Sequence, residues 1–146
     1  MATISVTVAA VLEREGRFLV IEEQTDEGVR INQPAGHLEP GESIIQATQR
    51  ETLEESAYRF EPRVLVGIYR WHHPANGVTY VRFALSGELG EHTQRPLDRG
   101  ILRALWLTPQ QLRECAQVHR SPLVMRCVED YLRGRCYPLD LLVDPI

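Results

Sequence analysis

Three glutamates, Glu51, Glu54 and Glu55, stand at i, i+3 and i+4 in a segment with a strong helix start. Ser43 and Gln46 form an S-x-x-Q capping box, in which the serine oxygen takes an orphan N–H and the glutamine reaches back. A helix is predicted from about Ile44 to about Ala57. At about 100° per residue the three carboxylates share one face of it, and like charges at that spacing destabilise a helix. The fold must therefore bring a compensating charge to this face, and a divalent cation is the obvious candidate. Oxygen-only ligands favour Mg²⁺, Mn²⁺ or Ca²⁺ over zinc. Ile44 and Ala47 share the face, with Ile45, Thr48 and Thr52 beside it, so the carboxylates are placed at the margin of buried surface. A solvated acidic helix face is the competing explanation, and E-x-x-E-E alone would not displace it.

The basic residues narrow the chemistry. All 16 Lys+Arg residues are arginine. A P-loop, a pyridoxal or Schiff-base lysine and a kinase strand lysine are thereby excluded. Any cation offered to a substrate must be Arg, His, a backbone N–H or a metal. The net charge of −4 argues against a non-specific nucleic-acid binder. It leaves room for a small anionic substrate, because a metal inverts the local charge.

The chain reads as one α/β domain over 1–146, a mixed sheet with helices on its faces. Ile4 to Leu12 alternates apolar residues at period two and reads as a strand. Arg17 to Glu23 returns after the turn at Glu13–Gly16, so the two are expected to pair as a hairpin. Gln24 to Val29 reads as a polar loop and Ile31 to Leu38 as a short extended piece. Val64 to His72 and Val78 to Leu89 read as strands joined at Pro74-Ala75-Asn76-Gly77. A polar loop covers Gly90 to Gly100, and Ile101 to Leu107 is a further strand. Thr108-Pro109 and Ser121-Pro122 open two more helices, the second running to about Arg133. Cys115, Cys127 and Cys136 are odd in number and lack C-x-x-C spacing, so free thiols in a reducing cytoplasm are expected. No signal-peptide core or membrane span is visible.

The residues around the glutamates decide between the two readings of the acidic face. Gly36, five residues, Glu42, seven residues, Arg50-Glu51, two residues and Glu54-Glu55 resemble the signature of the Nudix (MutT-like) hydrolase family, G-x5-E-x7-R-E-U-x-E-E-x-G-U with U a bulky aliphatic. All six glycine or charged positions from Gly36 to Glu55 match, at chance odds on the order of 10⁻⁵. Three positions depart: Thr52 and Tyr58 stand where the pattern has aliphatics, and Ala57 where it has glycine. Ala57 points to a slightly longer helix.

The resemblance implies an α/β/α sandwich and metal-dependent hydrolysis of a phosphoanhydride with Mg²⁺ or Mn²⁺. It makes Glu51, Glu54 and Glu55 metal ligands, with the Gly36 carbonyl as a further one. Arg50 and Glu42 become an ion pair that orients them. Shorter pieces extend the likeness toward a bacterial phosphatase branch of the family: Glu22-Glu23, Asn32-Gln33-Pro34-Ala35, Arg82-Phe83, Arg120-Ser121-Pro122 and Tyr137-Pro138-Leu139. That branch implies nucleoside tri- and diphosphates, thiamine diphosphate or a hydroxymethylpyrimidine diphosphate as substrates, with orthophosphate released. The alternatives are a pyrophosphate-releasing enzyme that clears oxidised nucleotides and a non-catalytic nucleotide sensor.

Substrate contacts are expected from Arg82, a charge amid apolar residues that needs a phosphate or a carboxylate as partner. Trp71, for ring stacking, Tyr69 on the same strand face, and His37 complete the candidates. His72 and His73 point to opposite faces and read as polar residues at a loop mouth. Glu88, Glu91 and Asp98 bracket a loop in which some relatives carry a further acid, and the sequence does not choose among them. Oligomeric state is not legible.

Overall fold

The computed structural model describes residues 2–145. Met1 and Ile146, the limits of the expected domain, lie outside the described residues. Among the described residues, two sheets and three α-helices form the architecture. The first sheet has the order β5-β1-β7-β6-β9. Its strands are β1 (Ile4–Ala10), β5 (Ala35–His37), β6 (Tyr58–His72), β7 (Thr79–His92) and β9 (Tyr137–Pro138). It is mixed: β1 runs parallel to β7, and the other pairings are antiparallel. In the second sheet β3 (Arg17–Thr25) pairs antiparallel with β2 (Glu13–Arg14), β4 (Gly28–Asn32) and β8 (Ile101–Leu107).

The helices lie on both sides. Ile44 and Ile45 of α1 (Ile44–Ser56) pack on a core cluster of Ala10, Leu12, Leu19, Phe60, Leu65 and Leu85. Leu112 of α2 (Pro109–Glu114) and Cys127 and Val128 of α3 (Leu123–Leu132) close a second cluster with Val11, Phe18, Val20, Ile31, Val66 and Ala84. Leu19 and Val20 thus serve opposite clusters, and each fully buried side chain of this size contributes about 1.5–3 kcal/mol. This is the expected α/β arrangement with a mixed sheet between helices.

Two expectations about the N-terminal half need correction. Ile4–Leu12 does not form a hairpin with Arg17–Glu23. Only Glu13 and Arg14 turn back on Arg17 and Phe18, while β1 belongs to the other sheet. Val8 to Leu12 is buried throughout, because this stretch passes between the two core clusters and is covered on both faces. The hairpin is instead β3–β4, and of the expected loop at Gln24–Val29 only Asp26 and Glu27 form the turn, the other residues being paired in the ladder. β6 and β7 are also longer than the sequence suggests, running to fifteen and fourteen residues.

Both halves of the α1 capping box form: Ser43 Oγ accepts from Gln46 N at 3.1 Å, and Ser43 N donates to Gln46 Oε1 at 2.9 Å. The helix is no longer than the family pattern requires. It ends at Ser56, and Ala57 takes the left-handed conformation (φ 66°, ψ 6°) that glycine would fill. Ala57 N closes the turn on Leu53 O. A second departure, Thr52, is buried with its hydroxyl satisfied at Thr48 O, 2.7 Å away. Thr48 and Ser56 donate to the carbonyl four residues back in the same way, so a row of hydroxyls reaches the core without unpaired groups.

Candidate active site

The β1–β5–α1 junction sets the acidic end of the site. Gly36 pairs with Val8 and lies beneath Glu51; a Cβ on Gly36 would collide with the Glu51 carboxylate. Glu55 is buried, and its Oε1 accepts from Ala35 N at 2.9 Å. Burial pushes Glu55 up to about 9, helped by the charges of Glu51, Glu23 and Asp98. Burial also raises Glu51, against the pull of Arg50.

Arg50 is the hub of this end. Its Nε and Nη2 grip Glu42 at 2.9 and 2.6 Å, and Nη2 also reaches His37 O at 3.0 Å. Nη1 donates to Glu51 at 2.7 Å and to Glu54 at 3.0 Å. The Glu42 carboxyl is held below its usual range by that hydrogen bond from Arg50. The Arg50–Glu42 pair expected from the motif is therefore present, and the same guanidinium contacts Glu51 and Glu54.

The donor set fits a hard divalent cation. All its side-chain donors are carboxylates, two of them are held at raised values by burial, and Glu51 rests on a glycine that leaves it room over the backbone. No three acidic, His or Cys residues already converge on one point among the described residues. The reason is local: the Arg50 guanidinium stands between Glu51 and Glu54 and takes the place of a cation there.

A cavity of about 720 Å³ runs from this end. Gly36, His37, Glu51, Glu55, Trp71 and Arg82, all candidates from the sequence, line it together. At the far end Trp71 stacks on Tyr80 with centroids 6.1 Å apart and planes 22° from parallel, and His73 lies 4.8 Å from Trp71. Arg82 forms part of the floor and is 6% exposed.

Other candidates lie elsewhere. Glu54, Glu42 and Arg50 stand behind the acidic end rather than on the cavity wall. Tyr69 shares a face of β6 with Trp71, as expected, but does not line the cavity, a correction to its expected place among the substrate contacts. Its hydroxyl donates to Asp130 of α3 at 2.8 Å, because α3 covers this part of the β6 face and leaves Trp71 beyond it. Of the two histidines, His73 faces the cavity, with Nε2 3.6 Å from Glu27, and His72 is exposed beside Thr79. Among the three loop acids, Glu88 and Glu91 are exposed partners of Arg63 and Arg59. Asp98 is the one at the site: its N–H donates to Glu54 O at 2.9 Å, and its charge acts on Glu51 and Glu55.

Sequence reasoning missed Tyr80, Asn32 and Gln33 as site residues. Tyr80 and Arg82 stand two apart on β7, a period-two signal that was available. Glu23 and Arg120, quoted only for their likeness, pair at 2.8 Å on the cavity wall.

Comparison with known proteins identifies the family. The NUDIX domain family model matches residues 1–127. The chain is 34% identical over 140 residues to phosphatase NudJ of Escherichia coli K12, covering 95% of this chain and 90% of that protein. It is 50% identical to a structurally characterised NUDIX hydrolase of Nitrosomonas europaea, with a TM-score of 0.94 and 97% of each chain covered. A MutT NUDIX hydrolase of Burkholderia pseudomallei shares the fold at 20% identity, with a TM-score of 0.74 over 88% of this chain and 98% of that one. The chain belongs to the Nudix family and is a Nudix hydrolase, an enzyme class that acts on small phosphoanhydrides and generally uses divalent cations.

Proposed function

We propose that this enzyme releases orthophosphate from nucleoside tri- and diphosphates, and from thiamine or hydroxymethylpyrimidine diphosphate, in a cytoplasmic compartment with Mg²⁺ or Mn²⁺. The single observation that carries the reading is one continuous cavity with carboxylates at one end and stacked Trp71 and Tyr80 at the other. A diphosphate joined to a flat ring has the same two-ended chemistry. The likeness to a phosphatase over most of the chain supports orthophosphate as the product.

Glu51, Glu54, Glu55 and the Gly36 carbonyl would hold the cation. When bound, it neutralises phosphoryl oxygens and lowers the pKa of water. The chain's own residues supply the rest. Ala35 N–H fixes one oxygen of Glu55 and so holds its carboxyl in one orientation. Glu42 holds Arg50 through two bonds and so keeps it in place when Glu51 and Glu54 turn to a cation. Phosphoryl transfer needs little beyond such positioning.

The test is a product assay over this substrate panel with Mg²⁺ or Mn²⁺, reading orthophosphate against pyrophosphate. Orthophosphate is expected, with turnover falling about 10²–10⁴-fold in Glu55→Gln. Pyrophosphate would assign the enzyme to oxidised-nucleotide clearance instead. Binding without turnover, or full activity in Glu55→Gln, would overturn the mechanism.

A further inference from the structure

Arg82 is held in the cavity floor by neutral groups. Its Nη1 donates to Gln33 Oε1 at 2.8 Å and lies 3.9 Å from Cys127 Sγ; its Nη2 donates to Asn32 Oδ1 at 2.9 Å. Burial pushes the Cys127 thiol up, so it brings no negative charge. Asp130, the buried acid on the same helix as Cys127, is engaged by Tyr69, Arg126 and Arg133. No carboxylate pairs with Arg82 among the described residues, whereas Arg50, Arg103 and Arg120 each have one. A buried guanidinium without a counter-charge is costly.

A purely structural role, tying β4 to β7, would explain the two amide contacts but not the unmatched charge or its opening on the cavity. The support is also fixed in one orientation. Gln33 is 1% exposed and donates Nε2 to Val124 O at 2.7 Å, which leaves its Oε1 facing Arg82. The guanidinium plane is therefore set before any ligand arrives, and the ordering cost of binding is reduced. An arginine fork matches two oxygens of one phosphoryl group.

Strand register gives the position. Arg82 pairs with Thr7, and Thr7 with His37 at the Gly36 end. Tyr80, two residues back on the same face of β7, carries the ring wall, about 7 Å away. We infer that Arg82, oriented by Asn32 and Gln33, is a metal-independent phosphoryl site that takes the ring-side phosphoryl group between the aromatic and acidic ends. This rests on the cavity having the two-ended role proposed above, but not on hydrolysis.

Calorimetric titration in EDTA separates the site from the metal end. The probes are inorganic pyrophosphate, orthophosphate and ADP. Wild type is expected to bind all three, ADP most tightly. Asn32→Asp, nearly isosteric, gives Arg82 a carboxylate partner and should weaken binding about tenfold to a hundredfold without lowering the melting temperature. Arg82→Lys, which lacks the fork, should fall between the two.

No metal-free binding by wild type, or unchanged binding in Asn32→Asp, would overturn the site. Orthophosphate binding more tightly than ADP would place the leaving phosphoryl there and overturn the ring-side assignment. Normal turnover with Mg²⁺ alongside either result would leave the hydrolase reading standing. Arg82-dependent binding without turnover would leave the site standing and sink the hydrolase reading.

Discussion

The two polar regions of the cavity are opposite in charge and in origin. At the acidic end Arg50 is surrounded by Glu42, Glu51 and Glu54, and Glu55 and Asp98 add to the excess of acid. In the floor Arg82 has only neutral partners. One region lacks a cation and the other an anion. A substrate carrying phosphoryl groups, together with a cation, answers both deficits at once. The difference also teaches where the chain tolerates electrostatic cost: at the acidic end Arg50 offsets part of the acid, whereas in the floor neutral amides hold the charge in place without cancelling it.

Adding one carbon to Gly36 should break the acidic end most severely. In Gly36→Ala the new Cβ meets the Glu51 carboxylate. Displacing a positioned group by about 1 Å can cost roughly 100-fold, so kcat with Mg²⁺ should fall by about that factor. Overpacking should also cost about 1–3 kcal/mol of stability. Wild-type kcat in this variant would show that Glu51 does not need its seat on the backbone.

The charge excess should be visible as a pH dependence of the metal-free protein. Glu55 titrates near 9 when folded, well above an unfolded glutamate near 4.3. Between those values the folded state keeps a proton that the unfolded state has released. The stability that this group contributes is therefore full below about pH 4.3 and is lost as pH rises toward 9, with a slope of up to about 1.4 kcal/mol per pH unit. Thermal melts in EDTA should show this decline, and Glu55→Gln should flatten it. A melting temperature that rises across that range in wild type would contradict the buried-acid account.

The β6 position opposite Arg82 should respond differently. Tyr69→Phe removes a hydrogen bond to the buried Asp130, worth about 1–3 kcal/mol. At about 2–4 °C per kcal/mol for a chain of this size, the melt should drop by several degrees. KM should stay within about twofold, because Tyr69 does not face the cavity. A large KM change with an unchanged melt would return Tyr69 to the ring-binding wall.

The two regions also differ in how legible they were. The acidic end lies almost wholly within Gly36 to Glu55, where helical periodicity and one capping box fix which side chains converge. The support of Arg82 comes from Asn32 and Gln33 on one side and Cys127 on the other, brought together only by strand register and by α3 packing. A lone arginine amid apolar residues signals that a partner is needed, but no local pattern names the partner. The same limit explains the hairpin. Alternation along Ile4–Leu12 identifies a strand, but its partners on β7 stand 75 residues further along the chain (Ile4 with Thr79, Ala10 with Leu85), and only tertiary structure reveals that pairing.

The smallest effect is expected where α1 ends. Ala57 sits in left-handed conformation, which costs an L-residue about 1–2 kcal/mol. Ala57→Gly would relieve that cost, yet it also deletes a fully buried methyl, worth about 0.8 kcal/mol. Glycine further frees the unfolded chain, a loss of about 0.4–1 kcal/mol. The three contributions nearly cancel, which accounts for alanine standing at this position. Ala57→Gly should melt within about 3 °C of wild type. Its kcat should be unchanged, since no acidic side chain moves. A stabilisation well beyond that would mean that the methyl adds little packing and that the helix end carries unrelieved strain. A large loss would instead make the methyl the anchor of the turn that leads from the acidic helix into β6.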